Sequence, residues 1–106
     1  MIELKNLSIE EPYKIFENLY IKALGQNQAS IEAISVSSLN TVNNEVESRY
    51  VNLKFINNVD WIFFSNYKSP KAIQFESHNQ VSILIFWNAI NTQIRIKANI
   101  KKTSSI

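Results

Sequence analysis

"VSILIFWNAINTQIRIKANIKK", residues 81–102, decides how this chain folds. Its second half is the clearest alternation in the sequence. Ile94, Ile96, Ala98 and Ile100 fall on one side, and Gln93, Arg95, Lys97, Asn99 and Lys101 on the other. Successive side chains of an extended strand point to opposite faces, so the pattern predicts a strand over 92–102 with one wet face. Residues 81–87 form a nearly continuous apolar run and read as a strand buried on both sides. The "NAIN" between them (88–91) supplies the turn.

Working outward, the same period recurs. Residues 30–39 are rich in β-branched side chains, and 40–46 supply turn chemistry. Residues 48–56 alternate, with Val51, Leu53 and Phe55 on one face and Tyr50, Asn52 and Lys54 on the other. Residues 57–60 read as a hairpin connection and 61–66 as the next strand. That strand sends Trp61 and Phe63 one way and Phe64 the other. Before all of these, residues 11–24 read as a helix. Pro12 suits its first position, Glu10 and Glu11 its positive end, and Gly25 its stop. Ile15, Phe16, Leu19, Tyr20, Ala23 and Leu24 form its apolar stripe. A second, short helix is predicted over 70–78, capped by Ser69, with Pro70 at its first position and His78 and Asn79 at its end. The sum is about five strands with short connections. An antiparallel sheet closing on itself satisfies them, because closure removes exposed edges. The expected fold is mainly β, a β-barrel with flanking helices: a single domain, 1–106, with the barrel over 30–102.

Composition narrows the function classes. With 45% hydrophobic and 19% charged residues the chain resembles an ordinary globular domain. A net charge of +2 argues for neither nucleic acid nor an anionic membrane. No cysteine is present, which removes disulfides, thiolate metal sites and cysteine nucleophiles and suits a cytoplasmic setting. No apolar run approaches the length of a membrane span, and the N-terminus lacks the order of a signal peptide. With Gly25 the only glycine, neither a Rossmann fingerprint nor a P-loop can be built. Asparagine is abundant, which reads as compositional bias.

The polar residues point to binding more than to catalysis. His78 is the only histidine, at a helix end where the dipole favours it. Glu45, Glu47, Asp60 and Glu76 are scattered, with no metal-ligand spacing. No catalytic residue and no metal site is therefore expected, and redox chemistry would need a cofactor. Lys71 is placed in the first turn of the second helix, where a cation is disfavoured unless an anion is also present. The functional reading of the basic residues Arg49, Lys54, Lys71, Arg95, Lys97 and Lys101 is an anion site, in which an arginine could clamp a phosphate bidentately and a lysine add a point charge. The plainer reading of each cation is a solvated strand face.

At this point residues 48–102 resemble the flavin-binding core of the pyridoxamine 5′-phosphate oxidase family. Arg49, Val51, Leu53 and Lys54 match an Arg-x-Val-x-Leu-Lys strand. Phe63, Phe64, Ser65 and Asn66 loosely match a Phe-Tyr-Thr-Asn strand end. Ser69, Lys71 and Ala72 match a Ser-Arg-Lys-Ala helix start, and Trp87 precedes a match of Gln93, Arg95 and Ile96 to Arg-Gln-Val-Arg-Ile. The resemblance implies a split β-barrel binding FMN at a homodimer interface, with no nucleic acid or membrane partner. It implies oxidation of pyridoxine or pyridoxamine 5′-phosphate to pyridoxal 5′-phosphate, with oxygen reduced to hydrogen peroxide. It further implies that Arg49 and Lys71 hold the FMN phosphate with Ser65 nearby. The backbone of 49–54, including Tyr50, Val51 and Leu53, would flank the ring system, Phe64 and Gln93 would contact the flavin, and Lys54 would sit near both flavin and substrate phosphate. Arg49 and Lys54 have opposite strand parity, so a bulge or strand end must let both reach one ligand.

The pattern also departs from the family. Pro70 and Thr92 each stand where the family has arginine. The family continues past the position where this chain ends, with further flavin contacts and its substrate-phosphate residues, so the resemblance implies a chain truncated after its flavin-binding half. Two other readings compete: a non-catalytic barrel or dimerisation remnant, and a small OB-like barrel binding single-stranded nucleic acid through Arg95, Lys97 and Lys101. The low net charge opposes the last.

Overall fold

A computed structural model describes residues 1–64 and 79–100. The expected second helix, Ser65, Lys71, His78 and Lys101 lie outside these residues. In chain order the elements are β1 (Glu3–Lys5), α1 (Glu11–Gly25), β2 (Ala33–Asn40), β3 (Glu45–Asn52), β4 (Phe55–Asn57), β5 (Asp60–Ile62), β6 (Gln80–Trp87), a 3-10 turn (Asn88–Ile90) and β7 (Thr92–Asn99). A four-stranded antiparallel sheet runs β3-β2-β6-β7, and a three-stranded sheet runs β1-β4-β5. The architecture is a mainly β, largely antiparallel split barrel with one face of a helix packed against it.

The sheets meet where one predicted strand proves to be two. Residues 48–56 do not continue as a single strand. β3 ends at Asn52, and β4 starts at Phe55. The Leu53 N–H donates to the Glu32 carbonyl (2.8 Å) at the edge of the larger sheet. The Lys54 N–H donates to the Ile62 carbonyl (2.9 Å), and the Lys54 carbonyl accepts from the Glu3 N–H (3.1 Å), both in the smaller sheet. The side-chain phase slips at this corner: Leu53 and Ile56, an odd number of residues apart, are both fully buried. β1, not foreseen in the sequence, pairs parallel with β4, Leu4 opposite Ile56. β5 is shorter than the strand expected over 61–66.

The core sits between α1 and the inner face of the larger sheet. Phe16 and Tyr20 of α1 pack on Trp87, with ring centroids 5.7 and 5.9 Å away, and Phe16 also packs on Trp61 at 5.1 Å. Trp87 is fully buried, and its indole N–H donates to the Ile31 carbonyl (3.0 Å). The Tyr20 hydroxyl accepts from the Ile2 N–H (2.7 Å) and donates to the Ile2 carbonyl (3.0 Å), which ties the N-terminal segment to the helix. Ile15, assigned to the apolar stripe, is exposed.

Two further expectations are corrected. β6 is not buried on both sides: Val81, Ile83, Ile85 and Trp87 are buried, whereas Ser82, Leu84 and Phe86 face outward. α1 does stop at Gly25, but not through a left-handed glycine. Gly25 is the last helical residue, and Asn27 takes the positive φ of 57°. The Asn27 N–H donates to the Leu24 carbonyl and the Gln28 N–H to the Ala23 carbonyl, which closes a Schellman motif. Asn6, Asn44, Asn58 and Asn91 adopt positive φ as well, with Ser30 the one other described case. Asparagine tolerates this region through local side-chain hydrogen bonding, so in a chain with one glycine its abundance serves the turns and is more than compositional bias.

Candidate functional site

Strand register fixes which side chains share a face of the larger sheet. One row across all four strands is Tyr50–Ser35–Leu84–Arg95, and the next is Ser48–Ser37–Ser82–Lys97. Ser37 and Ser48 share a hydroxyl hydrogen bond of 2.6 Å. Beyond the first row Phe86 stands opposite Gln93 and Ala33 opposite Asn52. These residues form the outer face. The inner rows include Arg49–Val36–Ile83–Ile96, and Val51 opposite Ile34.

The outer face carries a shallow hollow of about 320 Å³, bounded by Ser30, Ala33, Ser35, Tyr50, Leu84 and Phe86. Tyr50 is 78% exposed, Phe86 59% and Leu84 40%. Such a contiguous apolar and aromatic patch is more than scattered surface leucines account for. Along this face β7 contributes two cations, Arg95 and Lys97. The outward positions of β2, β3 and β6 contribute no carboxylate. The surface therefore suits an anionic or aromatic ligand, or an apolar partner.

The residues expected to hold a cofactor are divided between the two faces. Arg49 and Val51 belong to the inner face, where β3 is an edge strand and Arg49 is exposed. Tyr50 and Gln93 belong to the outer face. Leu53 has its side chain in the core, so that side chain cannot touch a bound ligand. Lys54 is exposed at the corner between the sheets, where the required break in strand parity occurs. Phe64, 64% exposed, follows β5. Ser65 and Lys71 lie outside the described residues, and with them the proposed pairing of Arg49 and Lys71.

Among the described residues the ion pairs are the N-terminal amine with Glu32 (3.6 Å) and Lys5 with Glu3 (3.7 Å). Arg49, Lys54, Arg95 and Lys97 are thus without carboxylate partners among these residues. No group of three or more histidine or carboxylate side chains that could hold a metal is found among the described residues. Burial pushes the Tyr20 hydroxyl pKa up, opposed by its hydrogen bond to the Ile2 backbone and reinforced by Glu32. No described helix is long and apolar enough to cross a membrane.

Leu84, Phe86, Ser30 and Ser35 are the parts of this surface that sequence reasoning missed. The unbroken apolar run of 81–87 hid the outward position of Leu84 and Phe86. The strict alternation of the neighbouring β7 was the available signal, because paired strands must expose the same face.

No family model matches the chain. Named proteins do. It is 37% identical over 93 residues to a pyridoxine/pyridoxamine 5′-phosphate oxidase of Colwellia psychrerythraea, covering 88% of this chain and 42% of that protein. It is 31% identical over 100 residues to the protein of that name from Pseudomonas syringae pv. tomato, covering 92% and 46%. Among solved structures it resembles PhzG from Burkholderia lata 383, crystallised with tetrahydrophenazine-1-carboxylic acid. The TM-score is 0.77 at 19% identity, over 84% of this chain and 44% of that one. That likeness carries the fold alone, whereas the sequence matches carry descent. The chain is related to the pyridoxine/pyridoxamine 5′-phosphate oxidase family over about nine-tenths of its own length and spans less than half the length of these relatives.

Proposed function

We propose that the chain binds FMN in a site shared by two copies and acts as a pyridoxamine 5′-phosphate oxidase-type flavoprotein. The observation that carries this reading is the division of the expected contacts between opposite faces of one sheet. Arg49 on β3 and Gln93 on β7 are three strand spacings apart across the sheet, about 14 Å, and three residues apart along it, about 10 Å, and they lie on opposite faces. One chain cannot close both on a single flavin, but two copies can. Arg49, the main chain around Val51, and Lys54 would come from one copy and Gln93 from the other.

The residues present fit the group. Arg49 is an exposed guanidinium without a carboxylate partner among the described residues, which suits a phosphate. Tyr50, Leu84 and Phe86 form an apolar surface that a second copy would cover. Bound FMN would supply two-electron oxidation, with oxygen as the terminal acceptor. The names of the relatives support pyridoxine or pyridoxamine 5′-phosphate as the substrate class.

The test is direct. Purified protein is mixed with excess FMN, unbound flavin is removed, and the visible absorption of the retained flavin is recorded alongside sedimentation velocity. Retained flavin and a dimer are expected. A protein that retains no flavin refutes the reading. Peroxide release on adding pyridoxamine 5′-phosphate then reports the oxidase step.

A further inference from the structure

One glutamine ties the end of α1 to the edge of the proposed site. The Gln28 N–H closes the helix on the Ala23 carbonyl (3.1 Å). Its side chain then reaches the turn between β6 and β7, 60 residues away in sequence. Oε1 accepts from the Ala89 N–H (2.7 Å), and Nε2 donates to Asn88 Oδ1 (2.8 Å) and to the Ala29 carbonyl (2.9 Å). Both amide hydrogens and the acceptor are used, so the side chain is locked in one orientation.

The two limbs of the hairpin are not held equally. β6 ends in Trp87, fully buried and hydrogen-bonded to Ile31. β7 begins with half-buried Thr92 and exposed Gln93. Between them Asn88 and Ala89 are exposed. Among the described residues, the hydrogen bonds this turn makes outside its own hairpin are those to Gln28. Phe86 is placed by the core through Trp87; Gln93, paired with Phe86 in the ladder, follows a turn whose Ile90 packs on the core and whose exposed half, Asn88 and Ala89, is held by Gln28.

We infer that Gln28 is a positioning residue: it sets the turn from which Gln93 starts and thereby tunes flavin affinity without touching flavin. The inference rests on the FMN reading above. Losing the hydrogen bonds of one side chain is expected to weaken FMN binding about five- to tenfold in Gln28→Ala. FMN dissociation constants are measured by quenching of flavin fluorescence for the wild type, Gln28→Ala, Gln93→Ala and the double variant. Amide exchange at Ala89 is measured in the same proteins. Faster exchange at Ala89, weaker FMN binding, and a Gln28→Ala effect that shrinks to less than about twofold in the Gln93→Ala background are expected. Gln28→Glu keeps the acceptor for Ala89 but sets a carboxylate oxygen against Asn88 Oδ1 and the Ala29 carbonyl, so it should lose at least as much affinity as Gln28→Ala; it also serves if the alanine variant does not fold. An unchanged constant in Gln28→Ala, or a penalty undiminished by Gln93→Ala, overturns the role of Gln28 alone. A wild type that binds no FMN overturns the flavin reading and this inference together.

Discussion

If Arg49 and Gln93 serve one flavin from two copies, two defective variants must repair each other. In an Arg49→Ala homodimer both sites lack the guanidinium, and in a Gln93→Ala homodimer both lack the amide. A mixed dimer behaves differently: one of its sites takes Arg49 from the Gln93→Ala copy and Gln93 from the Arg49→Ala copy and is intact, while the other carries both lesions. Random assortment of equal amounts makes about half the dimers mixed, so about one quarter of all sites regain wild-type affinity. The Gln93 lesion removes a neutral hydrogen bond, about 0.5–1.5 kcal/mol, and the Arg49 lesion is larger. A charge-assisted bond to phosphate is worth about 1.5–3 kcal/mol, or about ten- to 150-fold in the dissociation constant. The two variants are mixed, left to exchange subunits, and titrated with FMN at a concentration between the wild-type and variant constants. Exchange is verified with differently tagged copies. A tight phase near one quarter of the sites is the expected result. If exchange is complete and no tight phase appears, each site draws both residues from one chain, and the reasoning from opposite sheet faces is wrong.

Other expectations follow from single contacts. Tyr20→Phe removes a hydroxyl that both donates to and accepts from buried Ile2, and should cost about 2 kcal/mol in a denaturant melt. Because burial raises the native pKa of Tyr20, the unfolded chain releases that proton first; stability should fall as pH rises past about 10, and Tyr20→Phe should flatten that fall. Gly25→Ala should stabilise by about 0.5–1 kcal/mol, since Gly25 is helical and an added Cβ meets nothing within 4 Å. Asn27→Ala should instead destabilise by about 1 kcal/mol, because Asn27 holds the left-handed position; thermal melts distinguish the two. Leu84→Lys should leave the monomer's melting largely intact while weakening self-association in sedimentation, because the side chain is 40% exposed on the outer face.

Much of the fold was legible because hydrophobic period survives any context. The helix at 11–24, the hairpin of 81–87 with 92–102 and the turn at 57–60 all follow from spacing and turn residues, and among the described residues each lies where it was expected to within a few residues. The corner at Leu53–Lys54 was foreseen only as a need, from the parity of Arg49 and Lys54. Its cause, a strand leaving one sheet for another, depends on hydrogen bonds to Glu32, Ile62 and Glu3, which are remote in sequence. The left-handed asparagines were hidden for a similar reason: composition shows how many there are, not which backbone positions require them.

The sequence by itself determined the alternation of β7, the aromatic stripe of α1 and the kinship with the oxidases, because each is carried by side-chain identity and spacing along one stretch. Only the tertiary structure decided which face of the larger sheet is covered. Alternation sorts residues into two sets, but α1 and the smaller sheet choose the side they pack on. That choice buries Trp87, leaves Leu84 and Phe86 in solvent, and sets Arg49 and Gln93 on opposite faces at opposite edges of the sheet.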